Sequence, residues 1–113
     1  MLGFEFAHLG ITEASRDIAL ESANLFPHLF FFPVKEGTSS IFAGPNLEIT
    51  KSRFPGAKGH IGIFTNHIHR AIAYLKGKGV STLPDTAKEK DGKLTAVYID
   101  REVSGFAIHL IQK

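Results

Sequence analysis

Cysteine is absent from this chain of 113 residues. Its absence excludes disulfides and thiolate metal ligands, so any bound metal must be held by histidine and carboxylate. It is compatible with a cytoplasmic location. Long hydrophobic runs are missing too, and nothing approaches the roughly 20 apolar residues that cross a bilayer. The first residues, Met1-Leu-Gly-Phe-Glu-Phe-Ala-His-Leu-Gly10, lack the basic start of a secretory signal and already read as a strand. Charge of one sign is scarce: Lys and Arg number 13 against 11 Asp and Glu, for a net charge of +2. The basic residues are scattered among acidic ones, without the stripe or stacking platform that a nucleic acid requires. The expectation is a soluble cytoplasmic protein with neither a nucleic-acid nor a membrane partner. Its length suits one domain, 1–113, with a core that needs no staples.

What is present is a duplication. Phe4–Ile11 reads as a strand, Thr12 as a helix N-cap, and Ala14, Ile18, Ser22 and Leu25 as the inward stripe of the helix, which Pro27 closes. Leu29–Val34 and Ser39–Ala43 read as strands around the turn Lys35–Thr38, and Leu47–Lys51 as a fourth. A loop rich in Gly, Pro and basic residues follows. In the second half His60–Phe64 is a strand, with Thr65 or Asn66 capping a helix whose stripe is Ile68, Ala71, Ile72 and Leu75. Gly77 and Gly79 end that helix. Val80–Leu83, Leu94–Ile99 and Phe106–Gln112 read as strands, the second after the turn Asp91-Gly92, and Pro84–Lys90 as a polar loop. Both halves therefore run strand, helix, three strands, and the letters repeat as Ala7-His-Leu-Gly-Ile11 and Gly59-His-Ile-Gly-Ile63. The predicted fold is α+β: two βαβββ modules, 1–52 and 60–113 with a linker 53–59, forming a curved, cup-like mixed sheet with helices on its outer face.

Side chains alternate across a strand, so parity assigns faces. His8 opposes Ala7, Leu9 and Ile11; Glu48 opposes Leu47 and Ile49; His60 opposes Ile61 and Ile63; His109 opposes Phe106, Ile108 and Leu110. If the sheet curls toward that side, all four polar residues surround one point. Imidazole nitrogen and carboxylate oxygen suit Zn²⁺, Ni²⁺, Co²⁺, Fe²⁺ or Mn²⁺. A lone strand histidine is ordinarily a hydrogen-bonded core or surface residue, but four polar residues obeying one parity rule form a candidate metal site.

Other candidates carry less. His67 and His69 diverge at a helix start and are expected in solvent, and His28 after Pro27 is expected to be structural. Ser39-Ser40 lacks a nucleophile elbow, and Gly77-x-Gly79 ends a helix where a phosphate loop would open one. Asp91, Asp100 and Glu102 read as solvated. Phe30-Phe31-Phe32 reads as strand core, and Lys51, Arg53 and Lys58 as a solvated loop cluster that could also meet an anion.

The His-x-Gly-Ile starts, Leu47-Glu-Ile49 and Gly105-Phe-Ala-Ile-His-Leu110 resemble the vicinal oxygen chelate superfamily of glyoxalases, bleomycin-resistance proteins and extradiol dioxygenases. Phe32-Pro-Val-Lys-Glu-Gly37, Ser39-Ser-Ile-Phe-Ala-Gly44, Asp85-Thr-Ala-Lys88 and Gly105–Lys113 are similar to the glyoxalase-like C-terminal domain of some bacterial 2-dehydro-3-deoxy-phosphogluconate/4-hydroxy-2-oxoglutarate aldolases. The resemblance implies that His8, Glu48, His60 and His109 stand at metal-ligand positions, with Glu48 and His109 as catalytic candidates. It also implies a homodimer, a small-molecule ligand and a possible aldolase partner. Glyoxalase I typically carries Glu at the last position, where this chain has His109, which favours metal binding over that isomerase activity. Two readings follow: a metal-dependent lyase or isomerase acting on a 2-oxo acid or sugar-acid type of metabolite, or a noncatalytic ligand-binding or assembly module. A third is a resistance-type protein that sequesters a drug.

Overall fold

The computed structural model of the chain describes residues 1–52 and 55–113. Among them the order is β1 (Glu5–Thr12), α1 (Arg16–Phe30), β2 (Val34–Glu36), β3 (Ser40–Ala43), β4 (Leu47–Thr50), β5 (Gly59–Thr65), α2 (Ile68–Gly77), β6 (Thr82–Lys90), β7 (Lys93–Val103) and β8 (Phe106–Gln112). The strands form one curved, open sheet in the order β2-β3-β4-β1-β5-β8-β7-β6. Each half folds alike. β1 runs parallel to β4 and β5 parallel to β8, while β1 and β5 pair antiparallel at the centre. The two halves are thus joined by hydrogen bonds between their first strands.

Each helix covers its own half through small residues. Ala19 and Ala23 of α1 are fully buried against Ile41 and Ile49, with Ile11, Leu20, Phe26 and Val34 closing around them. Ile68 and Ala71 of α2 pack on Val97 and Leu110, flanked by Ile72 and Leu75. The α2 stripe follows the sequence reading. The α1 stripe does not: Ile18 and Leu25 are about half exposed and Ala14 is exposed, because the alanines let the helix lie closer to the sheet on a different face.

The helix starts also differ from the reading. Ser15, not Thr12, caps α1 by accepting from the Ile18 amide at 3.4 Å. At α2 the N-cap is His67, which has no side-chain capping bond; Gln112 accepts from the Ile68 amide at 2.8 Å instead.

Two further boundaries differ. Pro27 lies inside α1, which runs to Phe30, so no strand starts at Leu29. Phe26, Phe30 and Phe32 hold the last turn through ring contacts of 6.1–6.2 Å, and Phe31 ends the helix in the left-handed region at φ 61°. Pro84–Lys90 is not a loop but most of β6. As the outermost strand, β6 tolerates a proline and needs no apolar face, so its polar sequence hides a strand. The β6–β7 connection is the expected Asp91-Gly92, both at positive φ, as a two-residue hairpin demands.

The glycine of each His-x-Gly repeat has a specific reason. Gly10 pairs with His60 and Gly62 with His8 across the β1–β5 junction. A Cβ on Gly10 would overlap the His60 ring, and one on Gly62 would sit 2.6 Å from His8 Cε1. His60 is fully buried and cannot move away, whereas His8 is partly exposed and can swing. Gly10→Ala should therefore destabilise the protein by about 1–3 kcal/mol, and Gly62→Ala by less, as read by urea unfolding. The reverse order would disprove this account of the repeat.

Candidate metal centre

Strand register lays the four predicted side chains out in two rows. Glu48, Gly10 and His60 are neighbours across β4, β1 and β5; His8, Gly62 and His109 are neighbours across β1, β5 and β8. Each row has a glycine at its centre and a donor side chain on either side. Without side chains at the two centres, the flanking groups lean inward over the backbone and meet. Glu48 and His109 occupy equivalent places in the two halves, each on the strand parallel to its module's first strand.

The structure brings the three histidines together and sets Glu48 against two of them. His60 Nε2 lies 2.9 Å from Glu48 Oε1 and 3.0 Å from His8 Nε2, and His8 Nε2 lies 3.3 Å from the same carboxylate oxygen. The His109 ring stands edge-on to both other imidazoles, with centroids 6.0 Å from His60 and 6.4 Å from His8. One nitrogen from each of His8, His60 and His109 falls within 4.8 Å of the other two.

The donor chemistry fits a divalent cation. Two Nε2 atoms and one carboxylate oxygen converge at hydrogen-bond distance, and a single ring proton cannot satisfy both histidines and the carboxylate at once. Deprotonated imidazole nitrogens and a carboxylate facing one point are what such an ion accepts. His109 Nε2 is buried and has no hydrogen-bond partner among the described residues. Such an orphan atom is rare in a folded protein.

Tyr98 was not singled out in the sequence. On β7 it sits directly opposite His109, and the two rings stack with centroids 4.2 Å apart and planes within 9°. Its edge faces His60 at 6.0 Å. Parity would have found it: Val97 packs under α2, so the next residue must face the cup. Lys88 on β6 pairs with Ala96, two residues before Tyr98 and hence on the same face, and its charge acts on His109.

The remaining candidates lie elsewhere. His67 and His69 are exposed, as expected. His28 is exposed in the last turn of α1. Ser40 is buried, and its hydroxyl has no hydrogen-bond partner within bonding geometry among the described residues. Lys51 follows β4 in the loop but is not solvated, because it bridges Glu36 at 2.6 Å and the Gly37 carbonyl at 2.7 Å. Lys58 is exposed beside Gly105, and Arg53 lies outside the described residues. Asp91, Asp100 and Glu102 are exposed.

Protonation follows from packing. Burial pushes the Glu48 carboxyl up, but the hydrogen bond from His60, the Ser40 hydroxyl nearby and the two neighbouring imidazoles outweigh it and hold the group at about 2. Burial, then the His60, His8 and Lys88 charges, lowers His109 to about 4. Burial likewise lowers His8, against the opposing pull of Glu48. Burial and the Glu48 charge raise Tyr98 to about 12, so it stays a neutral donor.

These shifts act on stability in one direction. In the unfolded chain His109 takes its proton near 6.5, well before the folded one does near 4, so acid favours unfolding within that window. Metal-free protein should therefore lose about 2 kcal/mol between pH 7 and pH 5 from this residue, with His8 adding to the loss. Glu48, depressed from 4.5 to about 2, adds its loss only below that range. Urea titrations at the two pH values should show a smaller difference for His109→Gln than for the natural chain. An identical difference would show that His109 is not held neutral by the fold.

Comparison with known proteins bears on the fold. No family model matches the chain, and no curated protein sequence matches it significantly. Solved structures do. A hypothetical protein, BH1468 from Bacillus halodurans C-125, superposes with a TM-score of 0.67 at 16% identity, over 98% of this chain and 95% of that one. A methylmalonyl-CoA epimerase in complex with methylmalonyl-CoA and NH4+ gives 0.66 at 15% identity, over 100% and 96%. The Streptomyces coelicolor methylmalonyl-CoA epimerase S115T variant, with 2-nitronate-propionyl-CoA, gives 0.65 at 15% identity over the same shares. Two helices on one curved eight-stranded sheet, shared along the whole chain at such low identity, establish the glyoxalase-like fold and nothing finer.

Proposed function

We propose that His8, Glu48, His60 and His109 hold one divalent metal ion and that the cup receives a small oxygenated metabolite of the 2-oxo acid or sugar-acid type. The observation that carries this reading is that one nitrogen from each of three imidazoles falls within 4.8 Å of the others, with Glu48 Oε1 at 2.9 Å from His60 and His109 Nε2 buried and without a hydrogen-bond partner among the described residues. Zn²⁺, Ni²⁺, Co²⁺, Fe²⁺ and Mn²⁺ all suit the donor set. The exposed Lys88 on the same face favours an anionic ligand.

When bound, the ion would supply a Lewis acid that stabilises negative charge developing on a chelated carbonyl. The chain's own groups then move the proton next to that carbonyl. Glu48 is ionised at neutral pH, and His8 and His60 both contact its Oε1. His109 is neutral, but as a ligand through one nitrogen it has no second atom on the metal side to act as base. Glu48 is accordingly the stronger candidate for proton transfer, and a lyase or isomerase is the reaction class. The epimerase structures are a precedent on the same scaffold only. A noncatalytic binding module is the second reading. The low Glu48 pKa favours it, since a carboxylate held near 2 is a weak base. The similarity of several segments to an aldolase-linked domain makes an aldolase the protein partner to test first.

Purified protein should take up one of these metals per chain in titration calorimetry, and His60→Ala should weaken uptake at least roughly 10-fold. The same metal-loaded protein should turn over methylglyoxal with glutathione poorly, because His109 replaces the Glu of glyoxalase I. Protein that refuses all five ions, or binds them equally after His60→Ala, would defeat the metal reading. Efficient glutathione-dependent turnover would defeat the assigned role of His109.

The pairing of chains is part of the proposal. Leu25, Leu29, Phe30 and Phe31 stand more than half exposed along the end of α1, and large apolar side chains grouped on a surface suit a protein contact. Light scattering should read a homodimer, and Phe31→Asp should shift it toward monomer. A natural chain that is monomeric at working concentration would remove this element.

A further inference from the structure

The Tyr98 hydroxyl is buried and yet has no hydrogen-bond partner among the described residues. The residue as a whole is only 4% exposed. A buried phenol ordinarily finds a partner, and leaving one unpaired costs stability. Nothing among the described residues recovers that cost. The ring is instead fixed by stacking on His109 at 4.2 Å and by the edge contact with His60 at 6.0 Å. Two of the candidate metal-binding side chains therefore fix this ring, and β7 places the residue on the same face as His109. His109 could not be moved without moving Tyr98.

We propose that Tyr98 is the hydrogen-bond donor that recognises an oxygen of the chelating ligand in the cup, acting beside the four metal-binding side chains and not as one of them. The inference rests on the metal reading and deepens it by naming how the ligand is selected. Tyr98 carries a single O–H donor on a ring packed against His109 and His60. The ligand class it selects carries two oxygens for chelation and accepts one further hydrogen bond, as an α-keto carboxylate or its planar analogue oxalate does. An aromatic or purely apolar ligand would leave the hydroxyl unpaired. The stack on His109 has a further consequence: Phe at this position preserves the ring contact and removes only the donor.

Calorimetry with Ni²⁺ first and then oxalate as the probe separates the possibilities. In Tyr98→Phe, nickel affinity should stay within about 3-fold of the natural chain, while oxalate affinity for the nickel-loaded protein should fall at least roughly 10-fold. The melting temperature of the metal-free variant should be unchanged or higher, because the hydroxyl contributes no bond to the fold. Nickel bound equally and oxalate bound equally by both proteins would overturn the role of Tyr98 alone. A lowered melting temperature would also overturn it, by revealing a structural partner for the hydroxyl. Failure of the natural chain to bind nickel would take down the metal reading and this inference together.

Discussion

The antiparallel pairing of β1 with β5 is the contact on which the other features depend. It joins the two halves, sets Gly10 opposite His60 and Gly62 opposite His8, and thereby decides where every donor atom can lie. The close approach of imidazole to backbone needs glycine on the facing strand. Each module carries half of that fit, a histidine and the glycine that accommodates the other module's histidine. A slip of one residue in this register would turn the histidines to the helix-covered face and the isoleucines into the cup.

From that junction the chemistry follows by symmetry and by its breaking. Glu48 and His109 are equivalent in position, one on each side of the centre, yet their environments differ. Glu48 accepts from His60 and stays ionised; His109 is stacked under Tyr98 and stays neutral. A duplicated scaffold thus yields an asymmetric centre, with a carboxylate on one side and an imidazole–phenol stack on the other. The two outer strands of the second half, β6 and β7, contribute Lys88 and Tyr98 to that same side. In the first half, β2 and β3 instead serve the α1 core and the Glu36–Lys51 tie.

The rest of the fold is a support for this arrangement. Small buried residues on each helix, Ala19 and Ala23 or Ala71, let the helices press on the convex face. Hydrophobic burial there is non-directional and would tolerate several helix rotations. That tolerance explains why α1 turns its alanines inward and leaves Ile18 and Leu25 half exposed, against the apolar stripe that periodicity indicates.

Much was legible in the letters alone. The His-x-Gly-Ile repeat marked the duplication, and period-two alternation put His8, Glu48, His60 and His109 on one face, because strand parity is a local property that needs no partner. The α2 stripe and the Asp91-Gly92 turn were local in the same sense. What the tertiary structure alone decided is everything that depends on a neighbour. Periodicity did not show that α1 continues through Pro27, since the Phe26, Phe30 and Phe32 rings that hold its last turn meet only in space. Polarity concealed β6, whose strand conformation comes from pairing with β7 at the sheet edge. Tyr98 had the right parity but no meaning until β7 and β8 stacked it on His109. The sequence determined which side chains face the cup; only the register between strands decided which of them touch, because contact across a sheet is a property of two segments and never of one.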